Sequence, residues 1–256
     1  MNEPLLHVDD LWVRYRSARG DVPAVRGVSF ELARGGSLGL AGESGCGKST
    51  IAGAILRLLP KGTGVDGTVL LDGEDVLTMK PGRLRAVRWT GVAIVFQGAL
   101  HALNPVQRVS AQIAEPMLLH ETEPTKAAAM NRVGDLLEQV GLPRDRADAY
   151  PHQLSGGQRQ RILIAMALAC DPDLLIADEP TTALDVMVQA QVLAVLATLR
   201  RERGLSMIFI THDLSVLTDV CDEIAVMYAG RIVEHGPSST VFSTRIPPIC
   251  AIASIC

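Results

Sequence analysis

Gly42-Glu43-Ser44-Gly45-Cys46-Gly47-Lys48-Ser49 fits the pattern G-x-x-x-x-G-K-[ST], and its reading decides the fold. A strand-like apolar run over 37–41 precedes it and a helix-forming run over 49–58 follows. Between a strand and a helix, glycines let the backbone curl until successive N–H groups point inward at phosphate oxygens, and the helix N-terminus adds its partial positive charge. Lys48 supplies a compact cation for the β and γ phosphates, and Ser49 is placed to ligate Mg²⁺. Cys46 lies inside the loop, where its neighbours demand a small residue, so it reads as a spacer and not as a nucleophile.

Upstream of the loop the chain reads as short strands, 5–8, 11–15 and 25–32, with Arg34-Gly35-Gly36 as the clearest turn. Downstream, a strand over 68–71 with an Asp72-Gly73 turn and a buried strand over 92–96 begin an alternation of strands and helices. Residues 98–153 differ: helix-forming runs such as 126–140 are separated by Pro105, Pro116, Pro124 and Pro143, with few β-branched clusters. A helix over 156–170, a strand over 174–177, a helix from Val186, a strand over 207–210 and a hairpin around Ala229-Gly230 complete the chain. In the Val186 helix, Val188, Val192, Val195, Leu196 and Leu199 share one apolar face, and Arg200, Arg201 and Arg203 close the C-terminal end. The expected fold is α/β: a phosphate-loop core with a mixed or parallel sheet flanked by helices, an N-terminal antiparallel β subdomain and an inserted helical subdomain. One domain is expected over 1–243, with the insertion at 98–158 and an atypical tail at 244–256.

Composition narrows the function. The 256 residues are 48% hydrophobic and 20% charged, which suits one large globular unit and excludes disordered, collagenous and coiled-coil chains. With 24 Lys+Arg against 28 Asp+Glu the net charge is -4, so no global basic field favours nucleic acid as a partner. The longest apolar run in the middle of the chain, 162–170, is about half of what a bilayer-spanning helix needs. Met1-Asn2-Glu3-Pro4 lacks the basic start and apolar core of a secretory signal, so a cytosolic location with reduced cysteines is expected. The 5 cysteines, Cys46, Cys170, Cys221, Cys250 and Cys256, contain no C-x-x-C pair, which argues against a disulfide framework and a zinc site.

A second chemical site is Leu174-Leu175-Ile176-Ala177-Asp178-Glu179, a buried strand ending in two acids. Asp178 falls at the C-terminal strand edge, where open α/β sheets bind ligands and where an acid can hold Mg²⁺ directly or through water. Glu179, one residue further out, is the candidate to orient and deprotonate the water that attacks the γ-phosphate.

Many nucleotide hydrolases share those two features, but Leu154-Ser155-Gly156-Gly157-Gln158 resembles the signature of ATP-binding cassette (ABC) ATPases. Gln97 resembles the family's Q-loop glutamine, Ala183-Leu184-Asp185 its D-loop and His212 its switch histidine, while Tyr15 stands where an aromatic stacks on adenine. The resemblance covers about residues 4–243. It implies ATP binding by Tyr15, Gly42, Glu43, Ser44, Gly45, Cys46, Gly47, Lys48, Ser49 and Thr50, hydrolysis involving Glu179, His212 and Gln97, and Mg²⁺ on Ser49, Gln97 and Asp178. Ser155 and two glycines at a helix N-terminus form a second anion site. The family then implies a head-to-tail dimer in which Leu154, Ser155, Gly156, Gly157, Gln158 and Asp185 contact the ATP of a second cassette.

Finer features resemble the ATPases of dipeptide, oligopeptide and nickel importers: Leu103-Asn104-Pro105, Tyr150-Pro151-His152-Gln153, Val188-Gln189-Ala190-Gln191 and Val226-Met227-Tyr228-Ala229-Gly230. Met166 and Thr182 are more similar to the first of the two paired ATPases of such systems than to the second. The resemblance implies a hetero- or homodimer of cassettes on the cytoplasmic face of the inner membrane, peripheral to two transmembrane permeases and served by an extracytoplasmic solute-binding protein. Peptide is the expected cargo, with nickel or another small solute as the alternative, and a soluble cassette acting on nucleic acid or the ribosome as a competing class. Two departures stand out. Gly98-Ala99 follow Gln97 where the subfamily has an acid and a proline, and the tail from Ser243 resembles neither the usual histidine-proline-aromatic stretch nor a four-cysteine iron–sulfur segment.

Overall fold

The computed structural model describes residues 3–18, 20–96, 102–120, 122–123, 125–182 and 184–243. Strands β1 (Leu6–Ser17), β2 (Gly20–Leu32), β4 (Gly64–Leu71) and β5 (Glu74–Asp75) form an antiparallel sheet in the order β2-β1-β4-β5. Strands β3 (Ser37–Gly42), β6 (Val92–Val95), β7 (Leu174–Asp178), β8 (Ser206–Thr211), β9 (Glu223–Tyr228) and β10 (Arg231–Pro237) form a second sheet in the order β10-β9-β3-β8-β7-β6. All neighbours in it are parallel except the β9/β10 edge pair. β7 and β8 are buried along their whole length, as continuous apolar runs in a two-sided parallel sheet require.

Helices α1 (Lys48–Ile55), α2 (Pro81–Thr90), α3 (Val109–Leu119), α4 (Lys126–Gln139), α5 (Gly156–Ala167), α6 (Val186–Arg203), α7 (Leu214–Val220) and α8 (Ser238–Ser243) surround the sheets. Alternate strand residues feed two cores, following the period of two along a strand. Leu40, Ile176, Ile208 and Ile210 pack with Ile51 of α1 and with Val13 and Phe30 of the antiparallel sheet. Ala177, Met207 and Phe209 pack on the other side with Ile113 of α3, Leu137 of α4, Ile164 of α5 and Leu196 of α6. Among the described residues, no helix is long and apolar enough to cross a membrane.

Several elements differ from the sequence reading. The strands expected at 5–8 and 11–15 are one strand, β1, with a register shift between Val8 and Leu11. Asp10 there has φ 44, and Gly67 opposite leaves room where a Cβ would stand 2.4 Å from the Asp10 carbonyl oxygen. The helix expected over 49–58 ends at Ile55 as Arg57 turns left-handed at φ 49, and that over 156–170 ends at Ala167. Pro116 does not separate helices but lies inside α3, where its missing N–H forgoes only a bond to the Gln112 carbonyl. In α6, Val192, Leu196 and Leu199 are buried, whereas Val188 and Val195 are half-buried. Helix α2 has no counterpart in the sequence reading: only Leu84 and Val87 of it are buried, too few for a periodic stripe.

Candidate active site

β3 runs into Gly42, and the chain then curls through Gly45 (φ 81) and Gly47 (φ 110) before α1 begins at Lys48. Gly47 is doubly required, because a Cβ there would also stand 2.5 Å from the Ala24 carbonyl oxygen. Lys48 is buried, and its ammonium donates to the carbonyl oxygens of Gly42 (2.6 Å) and Glu43 (2.8 Å). Its charge is thereby kept at the inner rim of the loop. Cys46 is also buried, its sulfur 3.7 Å from Lys48 Nζ and its carbonyl accepting from the Gly230 N–H at 3.0 Å.

At the end of β7, Asp178 is 6% exposed, and its Oδ1 accepts a hydrogen bond from Ser49 Oγ at 3.0 Å. Burial raises its pKa and the adjacent Glu179 adds to that, while the Ser49 hydrogen bond and the Lys48 charge oppose it. Glu179 adopts φ 46, its N–H donating to the Ile210 carbonyl at 2.8 Å, so the side chain leaves the strand and turns toward the sheet edge. Glu179 Oε2 accepts from Thr182 Oγ1 at 2.8 Å, and Oε1 lies 3.4 Å from His212 Nδ1. His212 follows β8 and its side chain is 65% exposed, so it is no core histidine; the adjacent Asp213 caps α7 through the Ser215 N–H at 3.0 Å.

A cleft of about 660 Å³ gathers these groups: Gly42, Glu43, Ser44, Gly45, Gly47, Lys48, Ser49 and Thr50 line one side, with Glu179, His212, Leu214 and Val226 around them. It lies at the C-terminal ends of parallel strands, beside β3, where the chain order reverses across the sheet. Tyr15 does not line the cleft but is joined to it, its hydroxyl 3.2 Å from Thr50 Oγ1. Gln97 and Ala183 lie outside the described residues. Leu214, Val226 and the Thr182 contact escaped the sequence reading, although a threonine at the third residue after Glu179, inside a tight turn, is a usable signal. Ser49 Oγ and the Asp178 carboxylate form a hard, oxygen-only donor pair that fits Mg²⁺.

The signature residues form a separate feature. Ser155 caps α5: its Oγ accepts from the Gln158 N–H at 3.3 Å, and Gln158 Oε1 accepts from the Ser155 N–H at 3.0 Å. Leu154 is buried, and a Cβ on Gly157 would stand 2.3 Å from Val188 Cγ1 of α6. A Cβ on Gly156 would meet only Leu184 Cδ2, at 3.4 Å. Asp185 caps α6 by accepting from the Val188 N–H at 3.0 Å. None of Leu154, Ser155, Gly156, Gly157, Gln158 and Asp185 lines the phosphate-loop cleft.

A family model described as "ABC transporter" matches residues 25–182. The oligopeptide transport ATP-binding protein OppD of Bacillus subtilis is 46% identical over 242 residues, covering 93% of this chain and 67% of that protein. The dipeptide transport ATP-binding protein DppD of the same organism is 45% identical, covering 94% of this chain and 72% of that protein. The peptidoglycan transport ATP-binding protein YejF of Agrobacterium fabrum is 49% identical, covering 94% of this chain and 45% of that protein. Among solved structures, a dimeric ATP-binding cassette in a post-hydrolysis state bound to ADP and Pi superposes with TM-score 0.81 at 26% identity, covering 91% of this chain and 98% of that one.

Proposed function

The chain belongs to the ABC transporter family, and from that premise we propose how its residues power import of peptides. It is the ATP-hydrolysing subunit of a peptide importer, converting ATP and water to ADP and phosphate. The observation that carries the residue assignment is that Glu179 and His212 line the same cleft as Lys48.

In this mechanism the loop N–H groups and the Lys48 ammonium hold the phosphates, and Tyr15, its hydroxyl 3.2 Å from Thr50 Oγ1, stacks on the adenine. Ser49 and Asp178, with Gln97, would hold Mg²⁺, which when bound neutralises charge on the β and γ phosphates. Glu179, steadied by Thr182, orients the attacking water and takes its proton, while His212 beside it reaches the γ-phosphate. The Ser155 helix N-terminus, with Asp185 nearby, grips the nucleotide of a second cassette. Residues 1–243 act as one ABC domain with the helical insertion at 98–158, peripheral to two permeases at the cytoplasmic face of the membrane, and a solute-binding protein delivers the peptide.

Trapping the Glu179→Gln protein with ATP in its native membranes, purifying it gently and identifying its companions by mass spectrometry tests this. Two multi-spanning proteins with a second cassette are expected. Ribosomes, nucleic acid or the bare chain would contradict an importer.

A further inference from the structure

We propose that Asp171 is a positioning residue: it locks helix α4 to the core helix α6 and so fixes the angle at which α5 presents Ser155 to the nucleotide of a partner cassette. The inference rests on the proposed trans role of the signature. Asp171 lies between α5 and β7 in a left-handed conformation (φ 48), its backbone N–H donating to the Leu168 carbonyl at 3.1 Å. Arg132 of α4 places Nη2 at 2.7 and 2.8 Å from its two carboxylate oxygens, and Arg203, the last residue of α6, places Nη1 at 2.7 Å from one of them. One carboxylate thus holds two helices, α4 and α6, to the segment that enters β7.

α4 and α6 are tied at two further points. Arg203 Nη2 donates to Gln139 Oε1 at the end of α4, and Arg161 of α5 joins the Gly141 carbonyl, just past α4, to Gln191 of α6. Two residues on from Asp171, Asp173 accepts from Arg34 at 3.1 Å, which ties the segment to the turn before β3. The guanidinium side chains are mostly covered, at 21% exposure for Arg132 and 25% for Arg203, while the Asp171 side chain they share is 62% exposed, so the junction acts through its geometry and its charge attraction is screened by solvent and salt.

The leverage follows from where the helices touch. Near their N-termini α5 and α6 meet at Gly157 and Val188, close to Ser155 and Asp185. At the other end, Arg203 of α6 closes on Asp171 just past the end of α5 at Ala167. The Arg161–Gln191 hydrogen bond lies between these two points and acts as a pivot, so loosening the Asp171 contact lets the signature tilt about it while the phosphate-loop cleft, which contains none of these residues, stays intact.

The test uses the full chain carrying Glu179→Gln, with ATP-driven dimerisation followed by light scattering against protein concentration and ATP affinity measured on the dilute monomer. Adding Asp171→Asn should raise the concentration needed for dimerisation about fivefold or more, with monomer ATP affinity unchanged within about twofold. Arg203→Gln, which spares the left-handed turn, should reproduce the loss, and Asp171→Glu should recover most of it. Equal dimerisation of parent and Asp171→Asn, or a matching loss of monomer ATP affinity, overturns the inference alone. A parent that forms no dimer with ATP overturns the trans role of the signature and this inference with it.

Discussion

The phosphate loop and the signature are both glycine-rich helix N-termini, yet their glycines answer different physical demands. Gly45 and Gly47 of the loop have φ values of 81 and 110, a conformation that side-chain-bearing residues resist, and a Cβ on Gly45 would meet nothing within 4 Å. Gly157 of the signature sits in an ordinary helix and is required for clearance, because Val188 of α6 occupies the space a Cβ would need. The loop is thus shaped to wrap a phosphate within its own chain, and Lys48, Glu179 and His212 are already gathered around one cleft, with Asp178 behind Ser49. The signature is shaped to hold two helices close and to leave its capped N-terminus facing elsewhere. One site carries its chemistry internally; the other lies outside that cleft, as its proposed role toward a second cassette requires.

Four changes would break or sharpen that contrast. The largest effect is expected from Glu179→Gln, which should slow turnover by about 10²- to 10⁴-fold while leaving ATP binding intact, read from single-turnover hydrolysis beside calorimetric binding. Lys48→Ala should cost about a hundredfold in ATP affinity, roughly the loss of one charge-assisted contact; an unchanged affinity would remove the loop from the site. Gly157→Ala should destabilise the fold by about 1–3 kcal/mol through overpacking, and Val188→Ala should restore most of it. Gly45→Ala should cost about 1 kcal/mol through backbone strain alone, with no neighbour whose truncation rescues it.

The smallest expected effect is a gain. Burial raises the Asp178 pKa in the folded chain, so the native state binds that proton more tightly than the unfolded state does. The resulting cost is absent below the unfolded pKa, grows as pH rises through the folded value and is complete above it. Asp178→Asn should therefore raise the melting temperature at neutral pH by about 2–4 °C, with the advantage shrinking in acid, while Mg²⁺-dependent hydrolysis falls. A melting temperature that drops at neutral pH would contradict the assigned direction.

Local chemistry made the phosphate loop legible, since its spacing, its flanking strand and its helix all lie within one short segment. The β7 acids were legible for the same reason. The pairing of Glu179 with His212 was not, because 33 residues separate them and only the parallel β7/β8 register, with Asp178 opposite Ile210, brings them together. Helix α2 escaped because its buried pair Leu84 and Val87 leaves no stripe and a kink at Arg88 and Trp89 (φ 80) interrupts its last turn. Residues 9–10 read as a break between strands, whereas β1 continues through register shifts that set Asp9 and Asp10 against Ser29 on β2, and Asp10 and Leu11 against Gly67 on β4. The Asp171 junction depends wholly on tertiary contact: Arg132 and Arg203 lie on two helices and Asp171 in the connection before β7, with no pattern in sequence to join them.

The division of labour between the two helix N-termini is tested most directly by complementation. Lys48→Ala protein keeps its signature but loses its phosphate loop; Ser155→Arg protein keeps its loop but presents a blocked signature. Each alone should be close to inactive in ATP hydrolysis, and mixing them should restore a measurable fraction of the parent rate, because one composite site per mixed dimer is intact. Full activity of Ser155→Arg alone, or no recovery on mixing the two folded proteins when Ser155→Arg still binds ATP, would contradict a site shared between cassettes.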